Sequence, residues 1–174
     1  DYTNIQLYLI LKSLKQSGNF ILCGDSNQIV HPNFFSWSKV KTMFYHHLRE
    51  TNITRILTTN YRNSPQVTTI ANRLLKIKNA RFGSIDREST YLIRSVSARS
   101  GEVTLLEDTD KTKAEFNQKT RQSTRFAVLV MRNEDKAGAA KFFNTPLLFS
   151  VQEAKGLEYE NILLFNFISE NDKV

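Results

Sequence analysis

A repeated change of period constrains the fold of this chain more than any other feature. Short apolar runs, NFILC at 19–23, NITRIL at 52–57, RFAVLVM at 125–131, PLLFSV at 146–151 and NILLFNFI at 161–168, alternate with stretches whose apolar residues recur every three or four positions. Runs of four to eight apolar residues fit buried strands, and the longer spacing fits one face of a helix. Ile5, Leu7, Leu9, Ile10, Leu11 and Leu14 form the first helical pattern, expected to stop at Gly18. Trp37, Val40, Phe44 and Leu48 form the second. Pro65 opens a third helix whose Val67, Ile70, Ala71, Leu74 and Leu75 are expected to face a core. Residues 79–100 are polar and read as loops with one short strand in TYLIRSV; GEVTLLE at 101–107 alternates as a strand. KTKAEFNQKTRQ at 111–122 and EDKAGAAKFF at 134–143 read as helices. Helix and strand alternating along a chain predict an α/β fold layered on a parallel sheet.

Composition narrows the function classes. Lys and Arg number 24 against 17 Asp and Glu, a net charge of +7, and the excess lies in the middle of the chain. From Arg62 to Arg99 eight basic groups face only Asp86 and Glu88. That block fits an anionic partner, nucleic acid first, and equally fits a solvated basic surface. The lone cysteine, Cys23, excludes an internal disulfide and a Cys-based zinc cluster, and its apolar run predicts a buried, inert thiol. His31, His46 and His47 have no acidic or Cys neighbours at ligand spacing, so no metal site is expected. No apolar stretch is long enough for a spanning helix, and no membrane partner is expected. Neither DYTNIQ nor SENDKV has the character of a natural terminus, so the chain is expected to be an excised piece.

Ligands of parallel α/β folds collect outside the carboxyl ends of strands. GDSNQ at 24–28, TTNYR at 58–62 and SVQEAKGLE at 150–158 each follow an expected strand. In those loops Gln28 suits orienting a water or sensing a terminal phosphate, Arg62 neutralising phosphoryl charge, and Tyr61 stacking on a base. Glu158 suits a ribose hydroxyl. Each also has an ordinary reading: Gln28 as a turn residue, Tyr61 as the edge of a core, Arg62 and Glu158 as surface charges.

The same segments carry a family resemblance. ILCGDSNQIVHP resembles motif III of the superfamily 1 helicases of the UvrD/Rep/PcrA type, in which a hydrophobic strand ends in Gly-Asp-x-x-Gln. LTTNYRNSPQVTTIAN resembles motif IV, Leu-x-x-Asn-Tyr-Arg-Ser followed by an apolar helix ending in Ala-Asn. LLFSVQEAKGLEYENILL resembles motif V, Thr-x-x-x-Ala-Lys-Gly-Leu-Glu-Phe. The three occur in the family's order and spacing, and the resemblance covers nearly the whole chain, with 80–145 similar only in layout.

The resemblance implies RecA-like, P-loop NTPase layering, with residues 1–60 as the end of a first RecA-like domain and 61–174 as most of a second. It implies that Gln28 lies near the ATP γ-phosphate and links nucleotide state to DNA contacts. It puts Tyr61 on adenine, Arg62 on the γ-phosphate, and Gly156 and Glu158 on phosphate and ribose. It lays the single strand along Ser150 and Gln152, and makes Phe34 and Trp37, with Phe35, substitutes for the family's base-stacking residues. Ser150 and Gln152 stand where the family has Thr and His, and HPNFFSW at 31–37 replaces its aromatic-Arg-Gly, a version more similar to the large, divergent UvrD-like proteins.

No Gly-rich Walker A segment occurs among the six glycines. Asp1 resembles the last residue of the family's Asp-Glu-x-Gln-Asp motif, and motif VI would follow Val174. The resemblance therefore implies the middle of an ATP- and Mg²⁺-dependent DNA helicase or translocase, acting on single-stranded DNA, or on RNA, together with the remainder of its core. The isolated piece is expected to be inactive and to hold no cofactor tightly. The alternative is a helicase-derived nucleic-acid-binding or protein-interaction module without catalysis. A bacterial parent would be cytoplasmic and a eukaryotic one nuclear, the former being the default expectation.

Overall fold

The computed structural model describes residues 2–14, 21–29, 35–48, 54–84 and 86–168. The chain divides into two compact units, Asp1–Thr104 and Leu105–Val174. Both carry parallel strand pairs with helices, a mixed α/β fold. The boundary expected from sequence, at 60/61, lies inside the first unit.

In the first unit α1 (Asn4–Ser13) starts at Thr3, whose hydroxyl accepts the Gln6 amide while the Gln6 side chain accepts the Thr3 amide. This reciprocal cap satisfies two of the donors that a helix start leaves without partners. α1 buries Leu7 against Val40 and Phe44, one turn apart on α2 (Trp37–Leu48), with Leu11, Leu22, Phe35, Trp37 and Met43 around them. The start of α2 is capped from a distance: the buried Asp86 carboxylate accepts the amides of Trp37 and Ser38 and the Ser38 hydroxyl. β1 (Thr59–Asn60) pairs in parallel with β2 (Arg94–Ser95). α3 (Pro65–Phe82) has Ser64 as N-cap, Pro65 in its first turn, and Gly83 at φ 73° as its C-cap. That positive φ is the conformation in which glycine avoids the Cβ penalty. The side-chain amide of Asn72 on α3 brackets Ile93, donating to its carbonyl and accepting its amide, and so fastens the approach to β2.

The second unit has one three-stranded parallel sheet in the order β4-β3-β5, from β3 (Phe126–Val130), β4 (Leu148–Ser150) and β5 (Asn161–Leu164). β3 is central, and its Ala127, Val128 and Val130 are buried. This is why its sequence reads as an unbroken apolar run. α4 (Asp110–Thr120) supplies Phe116 to the core formed by Val128, Val130, Ala139 and Phe143. α5 (Lys136–Ala139) connects β3 to β4, and α6 (Val151–Ala154) connects β4 to β5.

Several expectations are corrected. Residues 21–23 of NFILC and 54–57 of NITRIL form no strand; the rest of each run, with Gly18, lies outside the described residues. GEVTLLE forms none either, and Leu105 in it is exposed. A strand exists only through a ladder, and near NITRIL the ladder begins at Thr58, whose carbonyl accepts the Arg94 amide. Cys23 is exposed, because the run that was to bury it is irregular. On α1 only Leu7 of the apolar set is fully buried. On α3 the buried residue is Thr68, while Val67, Ala71 and Leu74 of the expected core face are exposed.

Candidate functional site

Asp25 builds the first candidate loop. It precedes a 3₁₀ turn, Ser26–Gln28, and its carboxylate accepts the Asn27 amide at 2.9 Å and the Gln28 side-chain amide at 2.7 Å. Gln28 is therefore exposed but oriented. The loop is also tied down at Asn27, whose side chain donates to the Ser89 carbonyl and accepts from the Lys78 ammonium of α3 at 2.6 Å. Ser89 belongs to the turn Arg87–Thr90, which follows the buried Asp86, so one short segment holds both this loop and the start of α2.

Asn60 builds the second. At the carboxyl end of β1 its side-chain oxygen accepts the amides of Arg62 at 2.9 Å and Asn63 at 3.0 Å. Such an Asx turn reverses the chain without sheet or helix hydrogen bonds. Ser95 on β2 secures it by donating to the Asn63 carbonyl. The consequence is display: Tyr61 is 78% exposed and Arg62 is exposed beside it.

The third loop leaves β4. Ser150 is buried, and its hydroxyl and amide engage Glu153 in a capping box at the start of α6. Glu153 also accepts Lys136 at 2.9 Å. The Ser150 amide first, and then the Lys136 ammonium, hold the Glu153 carboxyl below its ordinary pKa. With its hydroxyl engaged inside, Ser150 shapes the loop, whereas Gln152, Gly156 and Glu158 are exposed. Gly156 adopts φ 85°, and no atom lies within 4 Å of where a Cβ would be, so its backbone is open to a close approach.

Gln28, Tyr61 and Arg62 thus lie in the first unit, and Ser150, Gln152, Gly156 and Glu158 in the second. Trp37 is partly buried, edge-on to Phe35 at 5.2 Å, and belongs to the α1–α2 core. Phe34, His31 and Asp1 lie outside the described residues, as do the side chains of His46 and His47.

Sequence reasoning missed a cleft of about 510 Å³ beyond the carboxyl ends of β3 and β5, lined by Asp108, Lys113, Arg132, Asp135, Phe142 and Asn166 among others. Lys113 pairs with Asp108 at 2.7 Å and lies over the Phe142 ring. The Asp135 carboxylate accepts the Arg132 amide. The signal available was the polar MRNED directly after the most apolar strand, the usual position of a strand-end loop. Among the described residues no group of three or more His, Cys, Asp or Glu converges on a possible metal position, and no helix is long and apolar enough to cross a membrane.

No protein-family profile matches the chain, and no solved structure matches it. It is similar to the TPR and ankyrin repeat-containing protein 1 of Homo sapiens, 22% identical over 194 residues, an alignment covering 99% of this chain and 6% of that protein. The chain therefore spans a small part of its curated relative, and its own sequence has no internal repeat.

Proposed function

We propose that this chain is the middle of an ATP-dependent helicase or single-strand translocase core of the UvrD-like kind, with RecA-like layering in both of its parts. The observation that carries the reading is the Asn60 turn, which follows a parallel strand and presents Tyr61 and Arg62 together to solvent. The Asn of the Asn-Tyr-Arg sequence thereby acquires a physical task. The oriented Gln28, the open backbone at Gly156 and the exposed Glu158 carboxylate support it from the other two loops.

These residues suit a nucleotide in chemistry. An exposed phenol ring stacks on a purine, a guanidinium pairs with phosphoryl oxygens, and a carboxylate accepts from a ribose hydroxyl. Bound nucleotide supplies the phosphoanhydride whose hydrolysis drives stepping. In the first unit Tyr61 would stack on its base, Arg62 would neutralise terminal-phosphate charge, and Gln28 would report occupancy through the loop that Asp25 and Asn27 fix. Carboxylates for Mg²⁺ and a Walker A lysine are expected from the rest of the parent protein. Gln152 is the exposed candidate for contacting a single strand.

Steady-state ATPase kinetics on the intact parent protein test this. Tyr61→Ala should chiefly raise KM, because stacking serves ground and transition states alike. Arg62→Ala should lower kcat, by about 10³-fold or more where an arginine neutralises the transferring phosphoryl group. A folded Arg62→Ala protein with the parent's kcat would overturn the phosphate role. A parent with no hydrolysis that still binds single strands would favour the non-catalytic module. The isolated 174-residue chain is expected to release no phosphate from ATP.

A further inference from the structure

Residues 86–97 read in sequence as polar loop, yet in the first unit they hold both of its candidate loops. One end is a firm turn: Asp86 and Ser89 are buried, and the Ser89 hydroxyl donates to the Asp86 carbonyl at 2.6 Å. From that turn the Ser89 carbonyl accepts the side-chain amide of Asn27, the neighbour of Gln28, at 3.0 Å. The other end clamps the Asn60 turn. The Arg94 and Val96 amides donate to the Thr58 and Asn60 carbonyls, and the Ser95 hydroxyl donates to the Asn63 carbonyl at 2.7 Å. That hydroxyl also accepts the Ser97 amide, so its direction is set. Tyr61 and Arg62 lie between the attachments at Asn60 and Asn63.

α3 makes the same two connections from its own side. Its N-cap, Ser64, directly follows Asn63, and near its other end the Lys78 ammonium donates to the Asn27 side-chain oxygen at 2.6 Å. Asn27 therefore donates to the segment and accepts from the helix. Helix and segment are tied across at one point, where Asn72 donates to the Ile93 carbonyl at 2.7 Å and accepts its amide at 3.2 Å. The result is a frame with the Gln28 loop attached at one end and the Tyr61–Arg62 turn at the other.

We propose that Asn72 and Ser95 are positioning residues for Gln28, Tyr61 and Arg62: residues 86–97, tied to α3 by Asn72, form a strut that holds one loop through Asn27 and the other through Ser95. What the two loops do rests on the helicase reading; how they are held rests on the hydrogen bonds alone. A turn closed by an Asn side chain has no ladder or helix of its own, so the side chains it displays are only as fixed as its attachments. A group that must meet a phosphoryl oxygen needs that support, because a misplacement of about 1 Å can cost ~10²-fold in rate. The coupling runs through contiguous hydrogen bonds, so cutting it at one place has a defined reach. Loss of Asn27 frees the first loop, loss of Ser95 the second, and loss of Asn72 both.

NMR relaxation of backbone amides in the 174-residue chain tests the strut, and ATPase kinetics on the intact parent protein test what it serves. In the unsubstituted chain the Gln28, Arg62 and Asn63 amides should have order parameters of about 0.85. Asn27→Ala should bring Gln28 below about 0.6 and leave Arg62 and Asn63 rigid, Ser95→Ala should do the reverse, and Asn72→Leu, similar in size, should loosen both. The Val40 amide in the α2 core should stay rigid throughout, which a variant that failed to fold would not show. In the parent, Ser95→Ala and Asn72→Leu should each lower kcat/KM by about tenfold or more, and Ser95→Thr, which keeps the hydroxyl, should retain it. Loops that stay rigid in Asn72→Leu, or that loosen together in every variant, would overturn the strut. Unchanged kcat/KM in Ser95→Ala and Asn72→Leu, with Arg62→Ala still slow, would overturn the positioning role and leave the helicase reading standing. Unchanged kinetics in all three would overturn both.

Discussion

Gly101 has no room for a side chain. A Cβ there would lie 2.4 Å from the Ser64 hydroxyl, and that hydroxyl accepts the Val67 amide at the start of α3. Gly101→Ala must therefore push Ser64 aside and break the cap, at an expected cost of about 1–2 kcal/mol, the usual worth of an N-cap. Gly138 within α5 meets nothing, so Gly138→Ala should be neutral or stabilise by up to ~1 kcal/mol by restricting the unfolded chain. Urea unfolding midpoints should move in opposite directions or at least separate clearly; a Gly101→Ala protein as stable as the parent would show that Ser64 yields without loss. The contrast also marks what single residues reveal in sequence. Tyr61 and Arg62 stand out as chemistry-bearing types, and Asn60 and Ser64 act on amides two or three positions on, but the work of Asp86 depends on amides up to 49 positions away and has no local signature.

At the scale of elements, period was legible and facing was not. α2, α3, α4 and β3 appear where their spacing or apolar run puts them. α3 presents two adjacent stripes, and hydrophobicity favoured Val67, Ile70 and Leu74 for the core, yet Thr68 is buried and Asn72 lies between that face and Ile93. The Asn72 bracket fixes the rotation of the helix, a tertiary constraint absent from the pattern. Residues 21–23 and 101–107 have strand-like sequence without a ladder, because pairing depends on a neighbour. On the buried face of α3, Thr68 is only 3% exposed and its hydroxyl has no hydrogen-bond partner among the described residues. Thr68→Val keeps the shape and removes that desolvated group, so stability should rise by ~1 kcal/mol; a fall would mean that the hydroxyl is satisfied. At β4–α6 the Glu153 carboxyl has its pKa lowered by the Ser150 amide and Lys136. Because the folded value lies below the unfolded one, the stabilisation is complete above the unfolded pKa and is lost as pH falls through the folded value. The protection of the Ser150 amide against hydrogen exchange, relative to its intrinsic rate at each pH, should fall in that acid window, and Glu153→Gln should remove this pH dependence; identical profiles would sink the assignment.

Across the whole molecule, hydrophobic burial and charge are distributed differently. Each compact unit has its own core, Leu7, Val40 and Phe44 in one and Val128, Val130, Ala139 and Phe143 in the other. The basic excess from Arg62 to Arg99 lies entirely in the first unit, and residues 134–174 carry more acidic than basic groups. Such a block displaces counterions from a phosphate backbone without reading sequence, so the chain should bind single strands weakly at low ionic strength. If about four phosphates are neutralised, log K should fall against log salt with a slope of about −3, and each cation removed should lessen it by ~0.7. Arg73→Glu with Arg81→Glu should flatten the slope, while Leu74→Gln with Ile77→Gln should leave it unchanged, because apolar side chains release no counterions. Anisotropy titrations between about 50 and 200 mM salt make the comparison. Affinity indifferent to salt across that range would rule out the electrostatic footprint, and so would a slope that changes with the apolar variant.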